Sequence, residues 1–285
     1  MSHLRGVEPL LRAGDDFDLA AVDTASTPGF DGPGKGSGKK EGEKSLAAGA
    51  GELAELQEKL YVNGLLGDRR RVLLVLQAMD TAGKSGVVGH VVGSVNPYGV
   101  HIASFKAPTA QEEAHDFLWR IRKQLPEPGM LGVFDRSHYE DVLVQKVRRF
   151  STPEVIEARY GQIVEFENQL VADGTSVVKV MLHISQGEQK KRLAARLDDP
   201  TKHWKFNPGD LDDRVLWPAF MEAYQIAIRR TSTDAAPWYV VPADRKWYAR
   251  LAVQQLLLDA LGDLRQDWPA ADYDVAAQKK RLAAE

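Results

Sequence analysis

Residues 72–86, VLLVLQAMDTAGKSG, carry a run of β-formers into a glycine-lysine-serine turn. Strand, loop and then helix is the layout of a phosphate-binding loop, and Val87–Val95 continues in helix-compatible residues. In such a loop the backbone around Ala82, Gly83, Lys84, Ser85 and Gly86 wraps a phosphate. Lys84 adds a positive charge and the Ser85 hydroxyl can reach a metal ion. Two details set this loop apart. Ala78 stands where an ATP-binding loop usually has its first glycine, and Asp80 lies inside the loop. A carboxylate in a cradle for anions is unfavourable unless a cation separates them, which points to magnesium at Asp80 or to an unusual arrangement of phosphates.

A chain of 285 residues is long enough for one large α/β domain, or one domain with an insertion, and a full-sized core. Its 37 basic and 40 acidic residues give a net charge of −3. That balance argues against a generally basic nucleic-acid binder, and any polyanion must be held by a local cluster of Lys and Arg. The absence of cysteine removes disulfides, thiolate metal sites and a thiol nucleophile, and fits a cytoplasmic protein. The stretch MSHLRGVEPLL lacks the apolar core of a signal peptide, and no apolar run approaches membrane-spanning length. The expectation is a soluble cytoplasmic protein with no membrane contact.

Residues 25–50, rich in Gly, Ser and charge, read as a linker or surface arm made locally basic by Lys35, Lys39 and Lys40. Residues 1–50 are accordingly expected to be partly flexible. Leu53, Leu56 and Leu60 recur at helical spacing, so a short amphipathic helix is expected over Glu52–Tyr61. Beyond the loop, strands are expected at Val100–Phe105, Met130–Phe134, Ser176–Ile184 and Trp238–Val241. Helices are expected at Gln111–Leu125, from Pro153 to about Asp173, and over Gln186–Leu197, Leu211–Arg230 and Arg245–Leu264. Alternating strands and helices imply a parallel sheet covered on both faces. A domain over residues 51–270 follows, with residues 271–285 as a tail.

Asp135 closes a short apolar strand, where open α/β sheets place ligand-handling groups, and there it would be the second metal-holding carboxylate. Asp135-Arg136 at a strand end resembles the acceptor-side signature of thymidylate-kinase-like enzymes, in which the Arg neutralises phosphate oxygens. Tyr139 and Glu140 would face the same cleft if a helix starts at Ser137, with Glu140 touching an acceptor nucleotide or its metal. Lys106, at the end of the second strand, is placed to contact an acceptor phosphate. Arg192 and Arg196 share one helix face by their i,i+4 spacing, and Lys202 and Lys205 follow in a loop between Pro200 and Pro208. Four cations converging on a cleft suit a substrate with many phosphates, and a basic lid over about 186–215 would exclude water from the transfer. His203 and Trp204 read as packing groups.

The segments LQAMDTAGKSG, NPYGVHIASFKAPT, FDRSHYEDVLV and DDPTKHWKFNPGDL occur in the order used by the second family of polyphosphate kinases, which the chain resembles from about Leu56 to Leu264. The leader GVEPLLRAGDDFDLAAVDTASTPGF is similar to that of some members. The resemblance implies a thymidylate-kinase-like P-loop core with a helical lid and a three-layer arrangement. It implies magnesium-dependent phosphoryl transfer between inorganic polyphosphate and AMP or ADP, with AMDTAGKSG and SHYED closest to the branch that accepts both. It also implies Asp80 and Asp135 as metal-linked carboxylates, and Lys84 and Arg136 gripping the transferring phosphate. Arg192, Arg196, Lys202 and Lys205 would line the polyphosphate path, and the assembly would be a homo-oligomer, a dimer or tetramer. Ser85 departs from the Gly or Asp expected in many members. The residues alone reach a phosphotransferase, and the resemblance supplies polyphosphate. The rivals are an ATP-dependent nucleotide kinase of the same fold and a non-catalytic polyphosphate or nucleotide sensor. Contact with RNA through the basic helix is weaker, because the net charge is negative and no aromatic stacking platform is apparent.

Overall fold

Residues Val72–Ala78 are all buried, as a strand covered on both faces requires, and they form the centre of the sheet. The computed structural model describes residue 4, residues 6–30 and residues 38–285. Five strands, β1 (Arg71–Ala78), β2 (Val100–Ser104), β3 (Leu131–Asp135), β4 (Thr175–His183) and β5 (Trp238–Pro242), pair in the order β2-β3-β1-β4-β5. All four pairings are parallel. The chain leaves β1 for the far side of β3 and later returns to pair β4 on its other edge, so the strand order reverses at β1. Ligands of open α/β sheets bind at such a reversal, beyond the carboxyl ends of the strands. No helix among the described residues is long and apolar enough to cross a membrane.

The expected linker is largely a helix. Gly38–Leu65 forms one 28-residue helix packed against the helix Lys246–Asp263. Its glycines permit that contact: a Cβ on Gly42 would stand 2.1 Å from the Trp247 ring, and one on Gly49 would stand 2.7 Å from Gln254 Oε1. Lys39 and Lys40 lie in the first turn of this helix, and Lys35 lies outside the described residues. Residues 6–30 are also built into the fold. Val7, Leu11 and Leu19 are buried, and Ala13 N–H donates to Trp238 O at 2.8 Å, covering the outer edge of β5.

Two expected helices are interrupted. Gln111–Leu125 is replaced by short helices at Ala110–Glu113 and Trp119–Arg122, because the Asp116 carboxylate accepts from Leu118 N–H at 3.0 Å and turns the chain between them. Leu211–Arg230 divides into Gly209–Val215 and Trp217–Thr231, with Pro218 in the first turn of the second. The helix Val275–Ala283 has no buried residue.

Candidate active site

The phosphate loop connects β1 to the helix Lys84–His90 through unusual backbone. Thr81 has φ of 66° and Gly83 has φ of 129°. A side chain at position 83 would be strained, so the glycine is required there. Ala82 N–H donates to Met79 O and closes the turn, whereas the N–H groups of Gly83, Lys84 and Ser85 have no acceptor among the described residues. Adjacent, unsatisfied, convergent N–H groups form an anion cradle. Lys84 is buried and its Nζ lies 3.4 Å from Ala78 O and 3.8 Å from Asp135 Oδ1. Ser85 is exposed.

Asp135 ends β3 in register with Leu76 of β1, which brings the strand-end motif beside the loop. Arg136 follows with φ of 64°, in the left-handed region that a non-glycine residue holds only when its surroundings determine it. Its Nη2 lies 3.2 Å from Asp80 Oδ1. Burial alone would lower the Arg136 guanidinium, but Glu140, Asp80 and Asp135 surround it and raise it above the ordinary arginine value. Burial pushes the Glu140 carboxyl up, against the pull of Arg136 and Lys84.

On the far side of Asp80 and Arg136 opens a cleft of about 650 Å³. Lys106 and Arg120 contribute cations to its wall, Glu140 an acid, and Phe150, Phe220 and Tyr224 aromatic surface. Tyr139 does not face this cleft. Residues His138–Asp141 form a 3₁₀ turn, and that turn sends Tyr139 inward, where its exposure is 0%.

The lid cations are arranged otherwise than their spacing suggested. Arg192 is buried, and its guanidinium donates to Thr81 O and Ala82 O in the loop and to Ala243 O and Asp244 O after β5, at 2.7–3.0 Å. Its Nε donates to Glu188 Oε1 and its other donors are occupied by backbone carbonyls, so it ties its helix to the loop. Beside it, Gln189 Nε2 donates to Asp80 O at 3.1 Å and accepts from Arg214. Arg196 donates to Lys205 O and lies 3.5 Å from Asp210 Oδ2. Lys202 pairs with Asp199 at 2.6 Å on the surface, and exposed Lys205 lies over the Trp204 ring. Arg196, Lys202 and Lys205 are thus engaged within the lid segment, while Arg192 and Lys202 both lie near Lys246. Trp204 is 79% exposed, so it is no packing group, and His203 bonds Leu197 O.

Three residues escaped the sequence reading. Buried Asp210 reaches from the lid to Asp80; its carboxyl is pushed up to about 6 by burial and by the Asp80 charge, partly offset by Arg196. Lys246 and Arg250 begin the helix after β5, and Arg250 Nη2 lies 3.3 Å from the Cβ position of Gly86. Partial burial, followed by the proximity of Arg192 and other cations, lowers Lys246 below its ordinary value. Lys246 and Arg250 lie i,i+4 beyond the carboxyl end of a strand, a position that could have been read from the sequence.

A glycine-centred anion cradle after β1, a strand-end acid and arginine after β3, and a helical lid define a P-loop phosphotransferase. The chain belongs to the family Polyphosphate kinase 2 (PPK2), whose description matches residues 36–268. It is 47% identical over 253 residues to the AMP/ADP-polyphosphate phosphotransferase of Meiothermus ruber, covering 89% of this chain and 91% of that protein. It is 39% identical over 285 residues to the ADP-polyphosphate phosphotransferase of Rhodopseudomonas palustris, covering 94% and 93%. The crystal structure of Polyphosphate Kinase 2 from Arthrobacter aurescens TC1 superposes with a TM-score of 0.95 at 55% identity, over 100% of this chain and 99% of that one.

Proposed function

We propose that this chain transfers phosphoryl groups reversibly between inorganic polyphosphate and AMP or ADP. The observation that carries the reading is the position of the Asp80–Arg136 pair between the loop cradle and the 650 Å³ cleft. A phosphoryl group crossing from one to the other passes the Arg136 guanidinium. The cradle N–H groups and Lys84 hold the donor end, with Ala82 and Gly86 as its neighbours. A chain of phosphates needs no base pocket on that side. Lys246 and Arg250 extend the positive surface away from the loop, and Lys202, Lys205 and Arg196 border it on the lid. Lys106 and Glu140 stand on the acceptor side. Transfer needs positioning and charge neutralisation more than covalent help, and these residues supply both.

The acids fit a magnesium ion. Burial and the neighbouring Asp80 charge push the Asp210 carboxyl up, and a cation beside the two acids would relieve that repulsion. Among the described residues no three acids or histidines are grouped so that they could hold a metal ion by themselves. Magnesium is commonly held by one or two carboxylates together with substrate phosphates and water. Asp80 and Asp135 would hold it together with the substrate phosphates, with Asp210 standing beside Asp80, and when bound it supplies neutralisation of phosphate charge. A cytoplasmic setting is supported by the lack of cysteine, and a homo-oligomer by the family resemblance.

The test offers long-chain polyphosphate and magnesium with AMP, ADP or GDP separately and no ATP. ATP from ADP, and ADP then ATP from AMP, is the expected result. Turnover with ATP as the sole effective donor would instead make the protein a nucleotide kinase.

A further inference from the structure

Behind the site lies a polar network with no exposure to solvent. Lys179 in the middle of β4 is 0% exposed, and its Nζ donates to Glu167 Oε2 at 2.6 Å, Tyr139 Oη at 3.0 Å and Thr231 O at 2.7 Å. All three ammonium protons are thereby used. The other Glu167 oxygen accepts from Tyr139 O–H at 2.9 Å and lies 3.1 Å from His138 Nε2. An ionised carboxylate can only accept, so His138 carries its proton on Nε2. Thr231 Oγ1 accepts from Trp238 Nε1 at 2.9 Å and donates to Ala227 O at 2.7 Å, completing the circuit.

A buried ion pair of this kind is a poor source of stability, since apolar residues of matching volume often serve as well or better. Its partners are informative. Both side chains that converge on Glu167 Oε1 come from the three residues between Arg136 and Glu140, and those two flanking residues face the cleft. Arg136 itself holds a left-handed backbone, which persists only if neighbouring contacts determine it. From β1, Leu76 O accepts from Arg136 N–H at 3.0 Å and Gln77 Nε2 donates to Ser137 Oγ at 3.3 Å; His138 and Tyr139 add the anchors from the Glu167–Lys179 side of the core.

We propose that the Glu167–Lys179 pair, acting through His138 and Tyr139, is a positioning device that holds Arg136 and Glu140 in register with the phosphate loop. The four residues touch no substrate. They act on the rate by fixing where the guanidinium sits, and a displacement of about 1 Å can cost about a hundredfold. The assignment rests on the phosphotransferase reading above.

The test compares the uncharged double variant Glu167→Gln/Lys179→Met with wild type, using circular dichroism, melting temperature, and kcat and KM for each substrate. The expected result is a folded protein with kcat reduced about tenfold or more and the polyphosphate KM within about twofold of wild type. A folded variant with wild-type kcat would overturn the proposal. If the double variant fails to fold, Tyr139→Phe keeps the ring against Trp238 and removes only the hydroxyl. It should lower kcat, and it should add no further loss in an Arg136→Ala background. A nucleotide KM raised with kcat unchanged would make Tyr139 a substrate contact, and independent losses in the two backgrounds would sever it from Arg136; either outcome rejects the positioning role. Should wild type turn over ATP and not polyphosphate, the donor assignment fails, and the same comparison is made with ATP.

Discussion

Arg136 Nη2 lies 3.2 Å from Asp80 Oδ1, although the two residues come from different strand ends, 56 positions apart. The contact joins the phosphate loop to the wall of the cleft, and the proposed transfer would pass it. Arg136→Lys keeps the charge and loses the planar fork, so kcat should fall by about a hundredfold to a thousandfold. Steady-state kinetics with the nucleotide varied will check this, and a kcat near wild type would remove the fork from the transfer step.

Asp210→Asn removes the carboxylate that the lid presents to Asp80. The magnesium concentration for half-maximal rate should rise about tenfold, while activity abolished by EDTA still returns with excess magnesium. An unchanged magnesium titration would exclude Asp210 from the metal site.

Arg192→Met leaves four backbone carbonyls without their donors. Denaturant unfolding should show a loss of about 2–4 kcal/mol, and KM for donor and nucleotide should rise together because the loop itself is loosened. A selective loss of polyphosphate affinity, with stability intact, would return Arg192 to the donor path.

Lys246→Met with Arg250→Met should raise the polyphosphate KM about tenfold at low salt and leave the nucleotide KM unchanged, with the difference shrinking as ionic strength rises. Long and short polyphosphate compared on the same pair of proteins will locate the cations along the chain.

Burial alone would raise the Glu167 carboxyl, yet Lys179 and His138 hold it below its ordinary 4.5. For an acid lowered in the fold, the stabilisation is complete above the unfolded value and is lost as pH falls through the native one. Wild type should therefore melt higher than Glu167→Gln at pH about 6 and lose that advantage progressively below pH about 4. A gap that stays constant down to pH about 3 would mean that Glu167 is not ionised in the fold.

Much of the fold was legible because its strands are continuous β-former runs, each ending in a residue of distinct chemistry: Asp80 beyond β1, Lys106 beyond β2, Asp135 at β3. Where a side chain points across an element was less legible. Arg192 and Arg196 share a helix face by spacing, but spacing is silent on whether that face meets solvent or the carbonyls of Thr81 and Ala82. Tyr139 followed the helical reading toward the cleft, and a 3₁₀ turn redirected it. Gly42 and Gly49 carry the composition of a linker, and their purpose appears only when Trp247 and Gln254, some two hundred residues later, lie against them. Asp210 sits among acids in a basic lid, and local sequence does not reveal that it reaches Asp80.

The grip of Arg192 on both the phosphate loop and the segment after β5 has a consequence for how the enzyme opens. A lid hinged at its first residue would swing as a whole and carry its full surface away from the phosphates. Here Gln189 and Arg192 fasten the root to the loop, so any opening of such a lid would start beyond them, and the loop is held by the protein's own contacts. A cradle so held would be ordered during folding, and binding a phosphate would then carry little further ordering entropy.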